Sequence, residues 1–176
     1  MLRPPSPAPD FTAAAVRGAG ELVESRLSAL RGRWVVLLFY PRDFTTICPT
    51  EIRELSKRMP ELRALSTEAL AISVDDVATH RRWIQEVLGP VEVPLVADPD
   101  RGISRAYGSL LEREGVATRA TYLVDPDGVI RYAAFHDLRV GRSISEIIRV
   151  IEALRTGERA PAEWRPGQPT LGADRA

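Results

Sequence analysis

Residues 34–51 read Trp34-Val35-Val36-Leu37-Leu38-Phe39-Tyr40-Pro41-Arg42-Asp43-Phe44-Thr45-Thr46-Ile47-Cys48-Pro49-Thr50-Glu51. The first seven residues form an uninterrupted apolar run, which predicts a central β-strand that is buried on both faces. Pro49 is a residue type favoured in the first turn of a helix, so a helix is predicted to begin at or just after Cys48. A buried strand that leads into a helix is typical of α/β domains.

Apolar periodicity predicts four more strands, over residues 68–74, 94–97, 118–124 and 129–135. The first of these is also apolar on both faces and is predicted to be central. Asp125-Pro126-Asp127-Gly128 has the chemistry of a hairpin turn, which makes the last two strands antiparallel. The earlier strands are far enough apart in sequence to be joined by crossover helices. The sequence therefore predicts an α/β fold with a central mixed sheet flanked by helices.

Three helices are predicted between and after these strands. The helix that follows Cys48 has one apolar face, and Pro60 is predicted to kink it near residues 56–59. A second helix covers about residues 77–88, capped by Asp75 or Asp76 and stopped by Gly89-Pro90. The third begins at the capping box Ser143-Ile144-Ser145-Glu146.

Length and composition limit the possible function classes. The 176 residues carry 24 Lys and Arg against 24 Asp and Glu, so no net field favours nucleic acid or an anionic membrane. No apolar run approaches the roughly 18 residues of a membrane span, and the N-terminus lacks an apolar signal-peptide core. We expect a cytoplasmic protein.

Residues 1–156 are predicted to form one domain. Residues 157–176, which are rich in Pro, Gly and Ala, are predicted to form a tail that docks on a partner subunit.

Cys48 is the only cysteine, and two interpretations of it compete. A lone thiol after a buried strand is either a small core residue or an activated nucleophile. At a helix N-terminus the sulfur faces unpaired amides and the positive end of the helix dipole, which favours the thiolate. Thr45 lies where a tight turn directs its hydroxyl into the same pocket as the sulfur, and Pro41 is expected to shape the loop and shield that pocket from water. His80 and His136 lack neighbouring cysteines or a carboxylate pattern, so neither a metal site nor a cofactor is predicted.

The spacing Pro41-x-x-x-Thr45-x-x-Cys48 resembles the active-site motif of the peroxiredoxin family, especially the alkyl hydroperoxide reductase branch and the typical two-cysteine members. The resemblance extends over nearly the whole chain and implies a thioredoxin-like fold. It also implies a peroxidase that reduces hydrogen peroxide or alkyl hydroperoxides through a sulfenic acid on Cys48.

The resemblance also assigns roles to three charged residues outside the motif. Arg119, in Thr118-Arg119-Ala120-Thr121-Tyr122, matches the family's arginine, which would stabilise the thiolate and then the leaving group. Glu51 matches the glutamate that orients the arginines, although the helix dipole alone also favours an acid there. Arg142 is either a second arginine of the site or a solvated side chain.

The chain departs from the two-cysteine members at Ala160, which stands where their resolving cysteine would be. Without a second thiol, the sulfenic acid must be reduced by an external thiol, either a thioredoxin-type protein or a low-molecular-weight thiol. We favour a natural one-cysteine variant over an engineered substitution, because nothing else in the sequence looks edited. Residues 86–89 and 171–176 also differ from the two segments that the family associates with easy over-oxidation of its catalytic cysteine. Access to Cys48 is therefore expected to be comparatively open.

The resemblance further implies homodimers that pair edge strands near residues 129–135, and rings of five dimers. The ring contact is predicted near Phe44, Val77, His80 and Trp83, the last two of which also fit a place in the core. An alternative function is a redox sensor or an oxidation-activated holdase chaperone, because an uncompleted cycle accumulates oxidised protein. A thiol-disulfide reductase is disfavoured, since Thr45 occupies the first position of the Cys-x-x-Cys pair which that chemistry uses.

Overall fold

The structure is a computed structural model that describes residues 2–173. Its strands are β1 (Ser6–Pro7), β2 (Thr12–Gly18), β3 (Glu21–Arg26), β4 (Trp34–Phe39), β5 (Thr67–Ser73), β6 (Val91–Ala97), β7 (Leu110–Leu111), β8 (Val116–Ala117), β9 (Arg119–Val124) and β10 (Val129–His136). Its helices are α1 (Cys48–Lys57), α2 (Met59–Ala64), α3 (Val77–Trp83), α4 (Gly102–Ala106) and α5 (Ile144–Arg155).

The described strands form one large mixed sheet and a small hairpin. The large sheet has the strand order β1-β10-β9-β4-β5-β6-β2-β3, and β7 pairs with β8 in the hairpin. β4, β5 and β6 run parallel, whereas β9 pairs antiparallel with β4 and β2 pairs antiparallel with β6. The predicted central strands β4 and β5 therefore lie in the middle of the sheet, and the mixed sheet is confirmed.

The apolar run of β4 is buried on both faces, as predicted. Val35, Leu37 and Phe39 alternate into one core cluster, and the intervening Val36 and Leu38 are equally buried. In that cluster the Phe39 ring contacts two tyrosines, Tyr107 and Tyr122, at centroid distances of 5.2 and 5.9 Å. The period of two along a strand explains how one segment supplies both faces of the sheet.

The predicted hairpin between β9 and β10 is confirmed. Its two strands pair antiparallel, and Gly128 takes a φ of 78°, a conformation that side chains disfavour. Asp125 Oδ1 accepts hydrogen bonds from the amides of Asp127, at 3.0 Å, and Val129, at 2.8 Å. The turn predicted at residues 125–128 therefore forms, with Asp125 and Gly128 in the expected roles.

The helix predictions hold with one refinement. The helix after Cys48 breaks at Arg58, and Pro60 lies in the first turn of a separate helix, α2. Of the two proposed caps of α3, Asp76 is the one used, because its side chain accepts from the Thr79 amide at 2.8 Å. A π-helical turn, Ile84–Leu88, continues α3 as far as Gly89, whose φ is 74°.

The sequence analysis missed the N-terminal hairpin of β2 and β3 and placed the start of β6 three residues late. β2 reads Thr-Ala-Ala-Ala-Val-Arg-Gly, and alanine is depleted in strands. β2 forms because it pairs with β6 and β3 on either side, which is information that no local pattern carries.

The chain forms two compact units, the first ending at Arg142 and the second beginning at Ser143. In the second unit, Ser143 caps α5 by accepting from the Glu146 amide at 3.2 Å, as predicted. The following tail is bound to α5 through Arg149, whose Nη1 donates to the Trp164 carbonyl at 2.9 Å. The predicted boundary after residue 156 stays a prediction, and residues 174–176 of the predicted tail lie outside the described residues. In the range 2–173, no helix is both long and apolar enough to cross a membrane.

Candidate active site

Cys48 is the first residue of α1, at the helix start that the sequence predicts. β4 ends at Phe39, and the loop over residues 40–47 connects the carboxyl end of this central strand to α1. The backbone amides of Thr50 and Glu51 donate hydrogen bonds to the Ile47 carbonyl, at 3.0 and 3.3 Å. The thiol thereby lies at the positive end of the α1 dipole.

The sulfur is not open to solvent. Cys48 has a relative exposure of 0%, so the expectation of comparatively open access is wrong for this conformation. That expectation came from sequence differences at residues 86–89 and 171–176. Those local differences do not report how the first turn of α1 packs in the folded chain.

Arg119 brings a guanidinium to the sulfur from β9, the strand next to β4. It is the first residue of β9, which pairs with β4, and its side chain is almost fully buried. Arg119 Nη1 lies 3.4 Å from Cys48 Sγ and donates to Glu51 Oε2 at 2.7 Å. Its Nε donates to the Leu138 carbonyl at 2.9 Å. One side chain thus contacts the thiol, an acid and the loop after β10.

Glu51 joins Arg119 to the second predicted arginine, Arg142. Glu51 Oε1 accepts from the backbone amide and Nε of Arg142, and Oε2 accepts from Arg142 Nη2, each at 2.8 Å. Burial raises the pKa of Glu51, but hydrogen bonds to Arg142 and the charges of both arginines outweigh it and hold the pKa below its ordinary value. Glu51 is therefore ionised at neutral pH.

Arg142 is buried rather than solvated. Its Nη1 donates to the carbonyls of Phe39 and Ala120, both at 2.8 Å, which ties the site to the end of β4 and to β9. Arg119, Glu51 and Arg142 together carry one net positive charge, and Arg119 is the member of this group that contacts the Cys48 sulfur.

The remaining predicted residues, Thr45 and Pro41, do not take part in the hydrogen-bond network of the charged residues. Thr45 is exposed, and its hydroxyl donates to the Arg42 carbonyl at 3.2 Å. The predicted approach of that hydroxyl to the sulfur is thus not formed here. Pro41 is buried at the start of the loop. Cys48, Glu51, Arg119 and Arg142 converge, whereas Thr45 does not join them.

A second buried polar cluster supports the loop, and the sequence analysis missed it. Asp43 accepts from the Tyr40 hydroxyl at 2.8 Å through Oδ1, and its Oδ2 lies 2.7 Å from His80 Nδ1. Burial raises the pKa of Asp43. The Trp83 ring stacks on Tyr40, with the centroids 5.9 Å apart.

This cluster also decides between the two places suggested for His80 and Trp83. Both side chains are completely buried inside a single chain, so their inclusion in a ring contact is a wrong prediction and their place in the core is right. No periodic pattern marks Asp43 as the partner of His80, because the two residues lie 37 positions apart.

No group of three or more His, Cys, Asp or Glu side chains within residues 2–173 is placed to hold a metal ion.

Comparison with known proteins gives consistent matches. Residues 4–133 match the family model described as the AhpC/TSA family. A putative peroxiredoxin in the rubredoxin operon of Clostridium pasteurianum is 42% identical over 171 residues, which cover 94% of this chain and 96% of the relative. Peroxiredoxin-2 of Cricetulus griseus is 44% identical over 174 residues, covering 94% and 87%.

Solved structures agree with these matches. The reduced 2-Cys peroxiredoxin of Plasmodium vivax superposes with a TM-score of 0.92 at 33% identity, covering 96% of this chain and 92% of that one. AhpC of Mycobacterium tuberculosis gives a TM-score of 0.85 at 30% identity, covering 94% and 99%. The likeness confirms the predicted thioredoxin-like fold class.

Proposed function

Because this chain belongs to the AhpC/TSA family and is a peroxiredoxin, a thiol-dependent peroxidase, we propose that Cys48 opens its catalytic cycle and that an external thiol completes it. The observation that carries the proposal is the 3.4 Å contact between Arg119 Nη1 and the sulfur of the only cysteine. The substrates we assign are hydrogen peroxide and alkyl hydroperoxides.

In the first half-reaction the Cys48 thiolate attacks the terminal oxygen of the peroxide. A sulfur–oxygen bond forms and the oxygen–oxygen bond breaks, so the sulfur is oxidised to sulfenic acid and the peroxide is reduced. The departing hydroxide or alkoxide takes up a proton and leaves as water or alcohol. Negative charge therefore moves from sulfur to oxygen during the step.

The charged residues have roles that follow from this movement of charge. Arg119 would stabilise the thiolate first and the developing oxyanion next, because a fixed guanidinium can donate to both. Glu51 and Arg142 would hold Arg119 in place through their buried ion pairs. After its hydroxyl leaves the Arg42 carbonyl, Thr45 would accept from the peroxide O–H and donate to the thiolate, and Pro41 would shield the pocket from water.

The second half-reaction has no partner thiol among these 176 residues, since Ala160 stands at the resolving position. One external thiol would condense with the sulfenic acid and release water, and a second would reduce the mixed disulfide to regenerate Cys48. A thioredoxin-type protein and a low-molecular-weight thiol are both chemically competent. The complete burial of Cys48 favours the smaller reductant, because a mixed disulfide brings two Cα atoms within about 4.4–6.8 Å.

The direct test measures hydrogen peroxide consumption in parallel with dithiothreitol, glutathione and a thioredoxin system. Cys48→Ser is expected to abolish turnover with every donor, and equal rates for wild type and Cys48→Ser would refute the proposal. Activity with a single physiological donor would identify the reductant. Ala160→Cys then reports whether the lost resolving position still meets Cys48, by formation of a disulfide after one equivalent of peroxide.

The absent resolving thiol also supports a second candidate function. If no reductant acts quickly, protein oxidised at Cys48 accumulates, as expected of a redox sensor or an oxidation-activated holdase. Protein oxidised at Cys48 should then suppress aggregation of a denatured client, whereas Cys48→Ser treated with peroxide should not. Fast turnover with a thiol, together with no effect on aggregation, would exclude this role.

Assembly and location complete the proposal. We place a homodimer contact on β10 near residues 129–135, where the peroxiredoxin family suggests that strands of two subunits pair. A ring contact would use Phe44, which is 41% exposed, together with Val77. A cytoplasmic location fits an unpaired thiol that must stay reduced.

A further inference from the structure

Residues 137–142 form the loop that follows β10. This loop contacts one arginine of the site, Arg119, and contains the other, Arg142. Its Leu138 carbonyl accepts from Arg119 Nε at 2.9 Å, and its last residue, Arg142, binds Glu51. The loop also approaches the residue before the thiol, since a Cβ on Gly141 would lie 3.4 Å from Ile47 Cγ2. The orientation of the guanidinium at the sulfur therefore depends on how this loop is folded.

Asp137 fixes the fold of the loop. The Val140 amide donates to the Asp137 carbonyl at 3.0 Å, which closes a four-residue turn. The Asp137 carboxylate accepts from the Arg139 amide at 2.9 Å and from Arg139 Nε at 3.0 Å. Leu138 lies between these bonds, so its carbonyl cannot rotate without breaking at least one of them.

The register of the sheet explains why the turn meets Arg119. Arg119 pairs with His136, the last residue of β10, and Asp137 follows directly. The turn therefore begins opposite the Arg119 backbone and folds back toward its side chain. Arg119 donates to Leu138 with Nε and reaches Cys48 and Glu51 with Nη1, so the carbonyl fixes one edge of the planar group while the other edge faces the thiol.

We propose that Asp137 is a positioning residue for the peroxidase reaction, acting through the turn at residues 137–140 and the Leu138 carbonyl to aim Arg119 at Cys48. The inference rests on the proposed role of Arg119. It assigns the effect to the turn-forming hydrogen bond from the Arg139 amide and not to the charge of Asp137, because the Asp137–Arg139 ion pair is largely exposed.

The variants separate these possibilities. Asp137→Ala removes the acceptor of the Arg139 amide, and we expect the second-order rate of Cys48 oxidation by hydrogen peroxide to fall about tenfold, as misplacement of a catalytic group by a fraction of an ångström predicts. Asp137→Asn keeps an acceptor oxygen and should stay within about twofold of wild type, as should Arg139→Ala, which removes only an exposed ion pair.

The matched control is Asp100→Ala. Asp100 is another exposed aspartate that accepts from a backbone amide two residues later, that of Gly102, in a different loop. Its removal should leave the oxidation rate unchanged. The rate of Cys48 alkylation by iodoacetamide, measured across pH, serves as a second readout, and Asp137→Ala should need a higher pH than wild type to reach half-maximal rate.

The outcomes distinguish this inference from the role of Arg119 itself. If Arg119→Ala slows oxidation while Asp137→Ala keeps the wild-type rate and alkylation profile, the inference is overturned and the role of Arg119 stands. If Arg119→Ala has no effect, both fail. If Asp137→Asn is as slow as Asp137→Ala, the effect comes from charge and the turn mechanism is wrong. Thermal unfolding of each variant identifies rate losses that arise from partial unfolding.

Discussion

Glu51→Gln is the substitution that most directly tests the buried network around Cys48. The change preserves the size and shape of the side chain but removes its charge and converts one acceptor oxygen into an NH2 donor. Glu51 Oε1 accepts from two N–H groups of Arg142, and Oε2 accepts from Arg142 Nη2 and Arg119 Nη1. Whichever way the amide turns, two buried N–H groups face another donor.

The expected loss of stability follows from this geometry. A buried donor without an acceptor costs about 1–3 kcal/mol. Breaking a buried ion pair by removing one partner costs about 3–5 kcal/mol, because the remaining charge is left uncompensated. The two descriptions overlap and are not summed, so we expect the free energy of unfolding to fall by about 3–5 kcal/mol, out of the roughly 5–15 kcal/mol typical of a domain.

The assay is equilibrium unfolding in urea at neutral pH, followed by tryptophan fluorescence, since the chain carries three tryptophans. The control is Glu54→Gln, the same substitution one turn further along α1. Glu54 is half exposed and lies 3.6 Å from Arg58, so its loss should change stability by no more than about 0.5 kcal/mol.

A Glu51→Gln protein within about 1 kcal/mol of wild type would refute the reasoning, because the carboxylate would then not be what holds the two arginines. The peroxide rate is a less direct readout. Removing Glu51 also removes a negative charge from the site, and the effect of that change on the rate is opposite in sign to the effect of losing the Arg119 orientation.

Three further predictions use the same structure. Arg119→Lys keeps the charge but cannot donate to Leu138 and Cys48 at once, so the rate of Cys48 oxidation measured by stopped flow should fall at least about tenfold, and an unchanged rate would mean that charge alone suffices. Asp43→Ala leaves the Tyr40 hydroxyl and His80 Nδ1 without their buried acceptor, so urea unfolding should show a loss of about 2–4 kcal/mol, whereas a loss below about 0.5 kcal/mol would contradict the role of this cluster. The pKa of Glu51 is lowered by folding, so its contribution is fully present above its ordinary value of 4.5 and is lost as the pH falls through the lower folded value. The stability gap between wild type and Glu51→Gln should therefore be constant above about pH 5 and narrow under acid conditions, and a gap that widens there would show the opposite sign.

The elements that sequence reasoning predicted well are those set by local chemistry. The apolar run of β4, the turn at Asp125-Pro126-Asp127-Gly128 and the start of α1 at Cys48 each depend on residues adjacent in the chain. β2 was missed because alternation is weak in an alanine-rich strand, and its pairing with the distant strand β6 decides whether it forms.

For the site, the sequence by itself determined that one thiol lies between a buried strand and a helix start, and that no second cysteine accompanies it within these 176 residues. Matching residue types to a family motif added Arg119, Glu51 and Arg142 as candidates. Their roles remain predictions, whereas the structure shows both arginines bound to Glu51 and Arg119 in contact with Cys48.

Only the tertiary structure decided how those groups meet. Arg119 lies 71 residues from Cys48, and Arg142 lies 91 residues from Glu51, so strand register and loop conformation set their distances. The same packing buried Cys48 completely, turned the Thr45 hydroxyl to the Arg42 carbonyl and placed the Leu138 carbonyl on Arg119. Local residue patterns encode where a chain turns or caps, whereas the direction of a side chain in a buried site depends on distant segments that pack against it.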